Sequence, residues 1–151
     1  LKQWQSLDSP AEPIDVAEAE RTFQQLESSP RRGTYHVDWR QNFWIRYCTQ
    51  EWVKAYKTVA FVMATEIPEK ACIAMDRAIS MESTAKLDNH LNRGSLRLHL
   101  RRYQEAIQDY EIALRLNPNS RLALEGMIMA QVAVKEEGAA ERYRQRLKDL
   151  P

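Results

Sequence analysis

The chain has 151 residues, 44% of them apolar and 28% charged, enough for one soluble domain with a continuous core. Its 22 lysines and arginines against 21 acids leave no global field to draw it to nucleic acid or an acidic membrane surface. The best apolar run, VAFVMA at 59–64, is far short of the roughly 20 residues that cross a bilayer.

Residues 1–13, LKQWQSLDSPAEP, are polar and carry two prolines, so they read as a flexible tether cut from a longer precursor. A tether leaves room for an upstream anchor and slightly favours a membrane-tethered cell-envelope protein over a cytoplasmic one. Residues 14–51 form a helical extension. Within it, IDVAEAERTFQQL at 14–26 has helical spacing, with Asp15 as its N-terminal cap and Glu18 and Glu20 at the positive end. Pro30 and Gly33 interrupt it.

From 37 to 65 there is no glycine or proline, and Trp39, Phe43, Tyr47, Trp52, Tyr56, Val59 and Met63 keep helical spacing. That run predicts one long helix, or two that break near Thr49. Pro68 suits the first turn of the next helix, where its missing N–H is not needed. Leu87, Leu91, Gly94 and Leu98 make one face of a further helix, and Tyr103, Ala106, Ile107, Tyr110, Ala113 and Leu114 one face of its partner. Asn117 and Pro118 stop that helix and Ser120 caps the next. The last pair turns around Gly138 and ends in a charged helix, suited to closing a stack.

These segments repeat. Ala106, Tyr110 and Ala113 fall 35 residues after Ala71, Met75 and Ala78, and 34 before Ala140, Arg144 and Leu147. Such a period predicts stacked helical hairpins at 52–86, 87–120 and 121–151.

Sites of chemistry are not expected. His36, His90 and His99 lie outside any HExxH pattern, and no phosphate-cradling loop or nucleophile elbow is present, so no catalytic residue, metal ligand or cofactor is assigned. Cys48 and Cys72 read as small buried hydrophobes; a disulfide between them would need an oxidising compartment. Arg93, Arg97 and Arg101 recur every four residues as a basic stripe. With Asp88, Glu105, Asp109 and Glu111 nearby it reads as a solvated charged face, a contact for an acidic protein surface more readily than for RNA.

Over 87–120 the chain resembles the tetratricopeptide repeat family, through Asn92-Arg93-Gly94, Tyr103-Gln104-Glu105-Ala106, Tyr110, Ala113 and Asn117-Pro118. The flanking copies are degenerate. Arg97 stands where the family usually has a large aromatic, and Arg101 and Arg102 replace small turn residues. The resemblance implies an all-α, right-handed stack of hairpins, an α-solenoid with extra N-terminal helices. It implies a non-catalytic adaptor or assembly module that holds a partner's helix or extended segment in a concave groove.

The family's inner surface comes from the first helix of each hairpin. That places Tyr56, Met63, Leu91, Asn92, Leu98 and Met129 as the expected contacts, in a mainly apolar groove. The carboxylate clamp of one subgroup is not expected, because only Asn92 fits among Tyr56, Ala60, Asn92, Leu122 and Gly126. The alternatives are self-association into a homo-oligomer, RNA binding by the arginine stripe, and a groove filled by residues 14–51.

Overall fold

The computed structural model describes residues 15–28 and 42–151, with side chains given for 15–28 and 52–151. Seven helices make up the described residues: α1 (Val16–Ser28), α2 (Asn42–Met63), α3 (Pro68–Met81), α4 (Leu87–His99), α5 (Tyr103–Leu116), α6 (Arg121–Ala133) and α7 (Glu137–Lys148). They pair as the hairpins α2/α3, α4/α5 and α6/α7. α1 packs on α2, α3 on α4, α5 on α6, and the first helices α4 and α6 also touch. This is the all-α hairpin stack the 34-residue period predicts. The expected tether at 1–13 and the Pro30–Gly33 interruption lie outside the described residues.

Local chemistry sets the ends. Asp15 Oδ1 accepts from the Glu18 N–H at 2.7 Å and Ser120 Oγ from the Ala123 N–H at 3.3 Å, each satisfying an otherwise orphaned helix donor. Pro68 occupies the first turn of α3. α2 runs through Thr49 without a break, so the single long helix is the one formed, and it also crosses the expected boundary between 51 and 52.

The α6–α7 turn does not centre on Gly138, which lies in the first turn of α7. Lys135 makes that turn with φ 65°, and Arg101 makes the α4–α5 turn with φ 60°. In both, the next N–H reaches back five residues, Arg102 to the Arg97 carbonyl at 2.8 Å and Glu136 to the Gln131 carbonyl at 2.9 Å. This is the left-handed helix ending that usually employs glycine. Arginine and lysine occupy it here because the motif's hydrogen bonds offset a backbone cost of roughly 1 to 2 kcal/mol.

The apolar interior forms two clusters. One joins α1, α2 and α3 through Phe23, Leu26, Tyr56, Val59, Met63 and Met75, and takes Leu96 from α4. The other joins α5 and α6 through Ile107, Tyr110, Leu114, Leu124 and Met127, with Leu91 and Leu98 of α4 and Tyr143 and Leu147 of α7 packed against it. The repeat register is visible in burial: Ala71, Ala78, Ala106, Ala113 and Ala140 are all fully buried, where only a methyl fits between backbones.

Candidate functional site

A groove of about 680 Å³ opens between α4, α5 and α6. Leu91, Asn92, Ser95 and Leu98 line it from α4, and Leu122, Glu125 and Met129 from α6. Leu122 and Met129 are 65% and 63% exposed, although side chains of this kind gain by burial. A smaller cleft of about 160 Å³ adjoins it toward α2, sharing Asn92 and Ser95 and adding Lys57, Phe61 and Ala64.

The floor of the groove is Tyr110, on α5. Its residue surface is 3% exposed, and its ring lies between two glycines. A Cβ at Gly94 of α4 would meet the ring at 3.0 Å, and one at Gly126 of α6 would meet Cζ at 2.3 Å and the hydroxyl oxygen at 2.7 Å. The absent side chains let three helices close on one ring. Burial, then the Asp109 charge, pushes the Tyr110 pKa up to about 12, so the phenol keeps its proton.

Of the expected contacts, Leu91, Asn92, Leu98 and Met129 come together in this groove. Tyr56 and Met63 do not. Both are fully buried in the first apolar cluster, and the Tyr56 hydroxyl donates to Glu27 Oε1 at 2.8 Å, tying α2 to α1. The packing of α1 on α2 covers their stripe. Phe61, 84% exposed, faces the adjoining cleft instead. Its signal in the sequence is a second stripe, Lys57, Phe61 and Ala64, at helical spacing.

The arginine stripe is not a solvated face. Arg93 and Arg97 are only 15% and 13% exposed and converge on Asp109, which is fully buried. Arg93 donates from Nε at 3.0 Å and from Nη2 at 2.7 Å, Arg97 from Nη1 at 2.7 Å, and His90 Nδ1 lies 3.1 Å from the same carboxylate. Arg93 Nη1 also donates to Asp76 Oδ1 of α3 at 2.9 Å, and Arg97 Nη2 lies 3.4 Å from Glu105 Oε2. Three helices are therefore joined through one charge cluster that is buried at Asp109 and opens to solvent at Asp76 and Glu105. Arg101 alone of the three is exposed.

Arg97 occupies the aromatic position of the family pattern because Asp109 and Asp76 supply the charge it needs there. Burial, then the Asp76 charge, raises the Cys72 pKa against the pull of Arg97 and Arg102, which keeps this buried thiol protonated. Cys72 is free, and the Cys48 side chain lies outside the described residues.

The glycine–tyrosine–glycine sandwich and the buried alanines are the packing that the repeat pattern serves, and the tetratricopeptide repeat family model matches residues 89–120. This stretch is a tetratricopeptide repeat. No curated protein matches the chain. Among solved structures, a point mutant of MamA superposes with a TM-score of 0.63 at 14% identity, covering 91% of this chain and 98% of that one. A crystal structure of MamA gives 0.60 at 14% identity, covering 98% and 84%. At that identity the likeness is one of fold. The tetratricopeptide repeat supplies α4 and α5, and so two of the three walls of the groove.

Among the described residues no group of histidine, cysteine, aspartate and glutamate could hold a metal ion, and no helix is long and apolar enough to cross a membrane. What the surface offers is an apolar trough with a few hydrogen-bonding groups. That suits binding a polypeptide.

Proposed function

We propose that the chain is a non-catalytic docking module, an adaptor or assembly factor that holds a segment of a partner protein in the groove between α4 and α6. The observation that carries the reading is the uncovered apolar lining. Leu122 and Met129 stand exposed beside half-buried Leu91 and Leu98, around a concavity that the described residues leave open. A partner's apolar side chains would remove that surface from water, and flexible Met129 can adapt to them.

The test is affinity capture from native extract with the wild type and with Leu122→Glu combined with Met129→Glu. These positions are exposed, so the variant should keep its circular dichroism and its melting temperature. A partner retained by the wild type and lost by the variant supports the reading; equal retention by both overturns it.

Self-association is a second reading, favoured by the exposed ring of Phe61 beside the smaller cleft. It predicts a mass that rises with concentration in sedimentation and a monomer for Phe61→Ser.

A further inference from the structure

Oxidisable sulfur is spread unevenly over the fold. The chain carries five methionines, all within the described residues. Met63 and Met127 are fully buried, Met75 is nearly so, and Met81 is partly buried against the first apolar cluster. Met129 alone stands open, on the wall of the groove that Leu98 and Leu122 also line. Its neighbour two residues back marks the contrast. Met127 is buried in the core, with Gln131 Nε2 3.7 Å from its sulfur, while Met129 falls on the opposite side of α6. Cys72, the one cysteine whose side chain is described, is no competitor for an oxidant. It is buried, and burial followed by the Asp76 charge keeps its thiol protonated.

We propose that Met129 is a site of reversible oxidation by peroxide, and that its sulfoxide closes the groove to apolar partners. The consequence rests on the docking reading; the site itself does not. The thioether lone pair takes one oxygen from hydrogen peroxide. The O–O bond breaks, an S–O bond forms, sulfur gives up two electrons and water leaves. A dithiol reductant reverses the step: its two thiols become a disulfide, and the oxygen leaves as water.

The product replaces a flexible apolar side chain by a dipole with an acceptor oxygen. It stands beside Leu91, Leu98 and Leu122, where a partner's apolar side chain brings it no donor. A partner already seated covers the sulfur, so the oxidant reaches empty modules and spares loaded ones.

The experiment treats the full chain with hydrogen peroxide, assigns each added oxygen by peptide mass spectrometry, and measures binding of the neutral apolar dye Nile red. Leu122→Glu/Met129→Glu is the spoiled-groove control. Met129 should gain oxygen about 10-fold faster than Met63, Met75 or Met127, whose sulfurs react only when the fold opens. Dye affinity should fall about 10-fold with that step, as for a polar group covered without a partner. Methionine sulfoxide reductases should restore it. Met129→Leu, compared with itself before and after peroxide, should lose no affinity, which separates Met129 from every other oxidised residue. Oxidation of another methionine at the same rate, unchanged dye affinity once Met129 carries oxygen, or an equal loss in Met129→Leu would each overturn the inference and leave the docking module standing. No dye held by the wild type above the spoiled-groove control would remove both.

Discussion

Gly126 lies so close to Tyr110 that a Cβ there would stand 2.3 Å from the ring's Cζ, well inside van der Waals contact. Gly94 also approaches this ring, where a Cβ would stand 3.0 Å away, so a ring displaced from Gly126 remains close to a second backbone. Gly126→Ala should therefore destabilise by about 1 to 3 kcal/mol through overpacking, even after the gain in helix propensity. Gly94→Ala, with the looser contact, should cost less or break even. Urea unfolding of the two variants orders them; equal midpoints would mean that the ring is not clamped.

Asp109 is the fixed point of the charge cluster. Asp109→Ala would leave Arg93 and Arg97 buried beside each other with Asp76 and Glu105 as their remaining partners. The expected loss is about 3 to 5 kcal/mol, the cost of breaking a buried pair from one side. Denaturant melts measure it, and a loss under about 1 kcal/mol would show that the cluster contributes little to joining α3, α4 and α5.

Core and groove separate by stability. Met63→Ala should cost about 2 to 5 kcal/mol, since Met63 is fully buried, whereas Leu122→Ala should stay within about 0.5 kcal/mol. Thermal melts of the two check the placement of α1 over α2 as well. A mild effect at Met63 would return that side chain to the inner surface.

The Tyr110 pKa, raised from 10.0 to about 12, makes the folded state hold a proton that the unfolded state releases first. Its contribution is fully present below pH 10.0 and fades as pH climbs toward about 12. The loss is roughly 1 to 2 kcal/mol, with the hydroxyl partly solvated. Stability measured across that window should fall less steeply in Tyr110→Phe. Identical slopes would place the hydroxyl in open water.

Glu82 gives the opposite limb. Burial works to raise its carboxyl, and the hydrogen bonds from Lys57 and Lys86 override it, so its pKa lies below the ordinary 4.5. The folded state then releases this proton more readily than the unfolded one, which means stability present above pH 4.5 and lost as pH falls through the lower folded value. Glu82→Gln should flatten that acid limb. A limb of unchanged depth would assign the acid sensitivity to another carboxylate.

Helix spacing, caps and the 34-residue register were legible in the chain because they are local. An N-terminal cap such as Asp15 or Ser120 acts within three residues, and a buried alanine stripe repeats wherever two backbones must approach. The resemblance to the family's inner surface, not the local pattern, placed Leu91, Asn92, Leu98 and Met129 together, and they do line one groove. It could not say which apolar stripe would be covered. Tyr56 and Met63 were read as inner surface because the repeat register puts them there, and α1, which belongs to no repeat, closed over them.

The arginines show the same limit. A spacing of four residues states that Arg93, Arg97 and Arg101 share a face of α4, and nothing in the spacing states what that face meets. Tertiary packing brought Asp109 of α5 and Asp76 of α3 against it, and turned an apparent basic surface into an internal charge cluster. Fold class and repeat register followed from the sequence by itself, since hydrophobic period and chain stereochemistry act along the helix. Which faces remain open to a partner was decided only when distant helices competed to bury them.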